Sequence, residues 1–169
     1  MATIDIFVRP ARPKDAEAIA HVHAEAWKSA YSGIIPGQTL NSMISRRHSN
    51  WWSRAVKNKG ADVQVILFAG YVAGYASIRR NFHDYPQASS EVCEIYLLPE
   101  YQGVGLGGRL FAAAKNAATQ KYGKGCIVWA LKDNESACQF YLHMGGRPVA
   151  NAIEKLGASE LEKIGYFWP

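Results

Sequence analysis

Between Pro99 and Leu110 the chain reads Pro-Glu-Tyr-Gln-Gly-Val-Gly-Leu-Gly-Gly-Arg-Leu, with glycine at positions 103, 105, 107 and 108. A strand-like run, Glu91 to Leu98, stops just before the proline. After the glycines, Leu106, Leu110, Phe111, Ala114, Ala117, Ala118 and Tyr122 recur at helical spacing. A tight turn that opens directly into a helix leaves several backbone N–H groups without helical partners. Those groups and the helix dipole favour an anion at that end. Four glycines in six positions lose much entropy on folding, which a plain turn would not warrant. The chemistry expected here is the cradling of a pyrophosphate.

Three phosphate ligands compete for such a turn. A P-loop needs Gly-Lys-Ser/Thr, whereas Gly108 is followed by Arg109-Leu110. A dinucleotide fingerprint is present at Gly103, Gly105 and Gly108, which keeps a nicotinamide or flavin oxidoreductase as an alternative. That motif normally follows its strand at once, within a doubly wound sheet. Here Pro99 to Gln102 intervene and a hairpin-like pair of strands precedes.

The third ligand is acyl-CoA. Gln102-Gly103-Val104-Gly105-Leu106-Gly107 resembles the Q/R-x-x-G-x-G/A signature of the GNAT superfamily of N-acyltransferases. Asn134-Glu-Ser-Ala-Cys-Gln-Phe-Tyr-Leu-His-Met-Gly-Gly146 is similar to that family's second motif, at the expected separation. The resemblance implies a pantetheine arm held between splayed fourth and fifth strands. Backbone groups of Ile95, Tyr96 and Leu97 would hold the arm and the acyl carbonyl. Those of Gln102, Gly103, Val104, Gly105, Leu106, Gly107 and Gly108 would hold the pyrophosphate, with Arg109 and Lys115 as further phosphate partners. Asn134 would contact the cofactor beyond the fifth strand. The cosubstrate implied is acetyl-CoA, with no metal.

Acetyl transfer to an amine requires loss of a proton from the amine, a donor for the thioester oxygen and a proton for the departing sulfur. Tyr141 occupies the family's tyrosine position and is the expected general acid. A glutamate on the fifth strand serves as base in some members, but the comparable position is Trp129. Glu94 is then the best base, acting directly or through water, because a glutamate inside an apolar strand is unfavourable without a task or partner. Gly146 stands where the family usually has an aromatic residue. The family's acceptor walls correspond to Trp27, Tyr31, Trp51, Trp52, His83, Asp84 and Tyr85, of which Trp27, Tyr31, His83 and Tyr85 are the expected substrate contacts. The acceptor expected is a primary amine of a small molecule, amino acid or peptide. A GNAT-like domain that binds acyl-CoA as a sensor or scaffold, without turnover, is the alternative from a different class.

The elements that must position these residues follow from patterning. Ile4 to Val8 suits a first strand, and Ile19, Val22, His23, Ala26, Trp27 and Ala30 mark a helix face. Leu40, Met43, Ile44, Arg47, Trp51 and Ala55 suggest one further helix. Val63–Phe68 and Tyr71–Arg79 form a hairpin. Cys126–Leu131 is a strand of the parallel-sheet type. Asn134 to Met144 is helical, and short strands are expected near Pro148–Glu154 and Glu160–Phe167. The order β-α-α-β-β-β-α-β-α-β-β implies an α/β fold: a mixed sheet of about seven strands with helices on both faces, in one domain spanning 1–169.

Composition agrees. The 169 residues are 49% hydrophobic and 20% charged, ordinary globular usage that argues against a disordered or fibrous chain. Three cysteines without a CxxC pair support neither a zinc ribbon nor a disulfide scaffold. The histidines lack metal-ligand spacing, and no Gly-x-Ser-x-Gly elbow occurs. The net charge of +5 is scattered, whereas nucleic-acid binding usually shows a denser patch or stripe; the excess fits a small anionic ligand equally well, and no nucleic-acid partner is expected. No signal-peptide pattern or membrane span is read. A cytoplasmic protein, monomeric or homodimeric, is the expectation.

Overall fold

The computed structural model describes residues 3–59, 62–82 and 85–169. Strand β1 (Ile6–Pro10) leads through a 3₁₀ turn into helices α1 (Ala16–Tyr31), α2 (Gly37–Arg46) and α3 (Ser49–Lys59). Strands β2 (Val63–Phe68), β3 (Tyr71–Arg80) and β4 (Ser90–Leu97) follow, then α4 (Leu106–Tyr122), β5 (Cys126–Leu131) and α5 (Glu135–His143). A long hairpin, β6 (Arg147–Leu156) and β7 (Ser159–Trp168), ends the chain.

One sheet gathers all seven strands in the order β1-β2-β3-β4-β5-β7-β6. Only β4 and β5 run parallel, so the doubly wound parallel sheet of the dinucleotide alternative is not formed by the described strands. Pro10 sits on the edge strand, where a missing N–H leaves no ladder bond broken.

Side chains on the two sheet faces build separate cores. On one face Ile66, Ala73, Ala76 and Val92 pack under Leu106, Leu110, Phe111 and Ala114 of α4. On the other, Val63, Val65, Leu67 and Tyr75 pack under Ile19 and Val22 of α1 and Trp52 and Val56 of α3. The start of α1 is tied to β1 by a two-pronged ion pair. Arg9 Nη1 and Nη2 donate to the Asp15 carboxylate at 2.7 and 3.1 Å, and the Arg12 N–H adds a bond of 2.8 Å.

Two expectations are corrected. The single helix expected over Leu40 to Ala55 is two helices, broken where Arg47 leaves helical geometry at φ −102°, ψ 53°. At that break the Arg47 side chain reaches the carboxylate of Glu94, and a new helix starts at Ser49, the Trp52 N–H bonding to the His48 carbonyl. The two short C-terminal strands are ten residues each: β7 pairs with β6 from Ser159 to Phe167 and with β5 from Lys163 to Trp168.

Candidate active site

The site begins where β4 and β5 part. They pair only at Ser90↔Cys126 and Glu91↔Ile127, and beyond that the strands splay. Across the gap, Cys93 to Leu97 face Trp129 and Ala130, and the opening is a cavity of about 680 Å³. That volume lies in the usual range for a cofactor site. The cavity continues over Gln102, Gly103, Gly105, Gly107 and Gly108 to Asn134, Phe140 and Tyr141.

The glycine turn has the geometry its spacing suggested. Gly103 and Gly105 take φ of +79° and +86°, and a Cβ on either would project into open space. Gly105 is the N-cap of α4, and the first helical bond runs from the Arg109 N–H to its carbonyl. The N–H groups of Leu106, Gly107 and Gly108 are therefore left for an external acceptor. Gln102 ties the turn to β4, its Nε2 donating to the Leu97 carbonyl at 3.3 Å. Val104 is exposed and the Leu106 side chain is buried, and neither lines the cavity. Arg109, on the first turn of α4, donates from Nη2 to the Ile6 carbonyl at 2.9 Å.

Asn134 caps α5, its side-chain oxygen accepting from the Ala137 N–H at 3.3 Å. One helical face later, Tyr141 is buried among Phe111, Phe140, Tyr166 and Trp168. Burial pushes its phenol well above the ordinary range. The space expected for an aromatic residue at position 146 is taken by Trp168. A Cβ on Gly146 would meet that ring at 2.6 Å, and Trp168 Nε1 donates to the Met144 carbonyl.

Glu94 lies on the wall between this cavity and a second one of about 410 Å³. Arg47 Nη1 reaches both of its oxygens, at 2.7 and 2.6 Å. The Tyr75 hydroxyl donates to Oε2 at 3.0 Å and in turn meets His23 Nδ1 at 3.1 Å. His23 is fully buried, and burial together with Arg47 lowers its pKa to about 4. The polar chain Arg47–Glu94–Tyr75–His23 thus joins the end of α2 to β4, β3 and α1.

Among the expected acceptor residues, Trp27 and Tyr31 line the second cavity. The Tyr31 hydroxyl pairs with that of Tyr96 at 2.7 Å. Tyr85 is elsewhere: it packs on Phe167 at 5.1 Å and lines neither cavity. His83, with Asp84, lies outside the described residues. Trp52 is core, and Trp51 stacks under the Arg47 guanidinium at 4.7 Å. Among the described residues no group of three His, Cys, Asp or Glu side chains could hold a metal ion.

Sequence reasoning missed Arg47, Tyr75, His23 and the wall role of Trp129. Arg47 did leave a signal, a cation in register with Met43 and Trp51 on an otherwise apolar face. Trp129 lines both cavities, and its buried Nε1 has no acceptor among the described residues.

The chain has clear relatives. Residues 19–145 match the acetyltransferase (GNAT) family, and the chain belongs to it. An uncharacterized N-acetyltransferase of Bacillus subtilis, YuaI, is 30% identical over 168 residues, 97% of this chain and 93% of its own. A spermidine N(1)-acetyltransferase of Thermoplasma acidophilum is 25% identical over 84% of this chain and 88% of its own. In fold, the chain is similar to a crystal structure of the PaiA N-acetyltransferase from Thermoplasma acidophilum in complex with coenzyme A. That likeness has a TM-score of 0.73 at 19% identity, covering 94% of this chain and 98% of the other.

Proposed function

We propose that residues 1–169 form one N-acetyltransferase domain that moves an acetyl group from acetyl-CoA to a primary amine of a small molecule or peptide. The observation that carries this reading is the opening between β4 and β5, aligned with the unpaired N–H groups at the start of α4. An extended arm fits the gap, and an anion fits the helix end.

Acetyl-CoA supplies the acetyl thioester. Backbone groups of Ile95, Tyr96 and Leu97 orient the arm and polarise the carbonyl, and those of Gln102 to Gly108 bind the pyrophosphate. Asn134 lines the same cavity beside the arm. The amine attacks directly: its C–N bond forms as the C–S bond breaks. The surplus amine proton passes to Glu94, directly or through water. Tyr141 gives its proton to the leaving sulfur, whose parent thiol titrates near ~8.5. Its place on the wall of the first cavity supports that role; burial keeps the phenol protonated but makes it a weaker acid, so the proton moves as charge builds on the sulfur.

Release of CoA thiol, followed with acetyl-CoA and a panel of amines, tests the activity. Amine-dependent release is expected, and Glu94→Gln should shift the pH–rate profile. Release no faster than hydrolysis with every amine would leave acyl-CoA binding without turnover. That second reading has one support, the occupation of both Glu94 oxygens by Arg47. The three cysteines are free, which suits a reducing cytoplasm, and no described helix is long and apolar enough to cross a membrane.

A further inference from the structure

The second cavity is electrically balanced in an unusual way. Three carboxylates line it, Glu91, Glu94 and Glu154, and so do three cations, Arg47, Arg79 and Lys163. Each carboxylate is paired with one of those cations: Glu94 with Arg47 at 2.6 Å, Glu91 with Arg79 at 3.1 Å and Glu154 with Lys163 at 2.9 Å. Each carboxylate thus already has a cationic partner, which weakens the pull of this cavity on a polycation. The rest of the wall is apolar and largely aromatic, including Trp27, Tyr31, Tyr96 and Trp129.

Arg47 has donors to spare. Only Nη1 is used by Glu94, and Nε and Nη2 donate to no described residue. A guanidinium carries five N–H donors, so three remain, on an edge that matches a carboxylate in two-pronged fashion. The rings of Trp27, Trp51 and Trp52 hold the group in place, with centroids 4.7 to 6.0 Å away. It is also the cation bonded to Glu94, on the wall shared with the first cavity. The Arg47 side chain is 29% exposed and lines the second cavity, so an anion taken up by its unused donors would sit next to the place where an amine would meet Glu94.

We propose that the acceptor is an amine that also carries a carboxylate and an apolar body, that is, an amino acid with an apolar side chain. Its carboxylate pairs with the Nε/Nη2 edge of Arg47, its side chain lies against Trp27 and Tyr96, and its amine points to Glu94. This rests on the acetyltransferase reading of the site and departs from the polyamine named for the Thermoplasma relative.

Calorimetry tests it without turnover. CoA is titrated first, and the CoA-saturated protein is then titrated with phenylalanine, with phenethylamine, which lacks only the carboxylate, and with spermidine. Phenylalanine is expected to bind about 10- to 100-fold more tightly than phenethylamine, the range of a charged hydrogen-bonded pair, and spermidine most weakly. Equal affinities, the reverse order or no binding of phenylalanine overturns the acceptor while leaving the CoA site intact. Failure of CoA itself to bind overturns the acetyltransferase reading, and the acceptor with it. Arg47→Lys keeps the charge beside Glu94 but loses the second edge, so the phenylalanine preference should fall to about 3-fold or less. A preference unchanged in that variant overturns the role of Arg47. If the variant does not fold, the wild-type comparison still decides.

Discussion

Tyr141 and His23 are both buried titratable groups, and burial acts on them in opposite directions. It raises the phenol, so Tyr141 carries its proton across the neutral range. Tyr141→Phe removes that proton with little change of shape. It should lower kcat by about 10²- to 10⁴-fold, the usual contribution of a general acid, while the Kd for acetyl-CoA stays the same; an unchanged kcat removes Tyr141 as the acid. Burial lowers His23 to about 4, from an ordinary value of 6.5. Above pH 6.5 both folded and unfolded states hold it neutral, and it makes no difference to stability. Between pH 6.5 and 4 only the unfolded chain takes up the proton, so stability falls with pH, by up to about 3 kcal/mol at the acid end. Melting temperatures of the wild type and His23→Gln across that window check this: the acid-side slope should be shallower in the variant.

The start of α4 and the gap beside β4 are properties of elements rather than of single side chains. Gly105→Val puts a β-branched residue at φ +86° and a side chain into the hollow above the turn. The expected result is a Kd for acetyl-CoA raised at least about 10-fold, since the loss of one or two charge-assisted bonds is of that size. Unaltered affinity in a folded variant would place the pyrophosphate elsewhere. The turn was legible in the sequence because its cause is local: glycine spacing, a preceding proline and a following helical period. The break between α2 and α3 was not legible. Periodicity runs straight through Arg47, while the partner its side chain finds at the break is a carboxylate 47 residues away in the chain. Trp168 filling the place at Gly146 was hidden for the same reason.

Ligand binding tests the molecule as a unit, because anything that binds only the folded state shifts its melting point. At a hundred times its Kd a ligand stabilises by ~2.7 kcal/mol. For a chain of this length that is a rise of roughly 5–11 °C. Such a rise is expected with acetyl-CoA and with CoA, and none with NADPH or FAD at the same concentration. A rise with a dinucleotide alone would contradict an acyl-CoA site between β4 and β5.

The element types, the mixed sheet and the glycine turn could all be read from the order of residues. So, through two motifs, could the family and the positions of Asn134 and Tyr141. These depend on short-range spacing, which the chain carries in any conformation. Packing in three dimensions was needed to fix how far β4 and β5 separate, and to turn Tyr85 toward Phe167 rather than a cavity. It was also needed to bring Arg47 to Glu94 and His23 to Tyr75, pairs 47 and 52 residues apart. Such polar pairs form only after the sheet and the α1–α3 layer have packed, because burial then obliges each group to find a partner. No local pattern specifies which partner that will be.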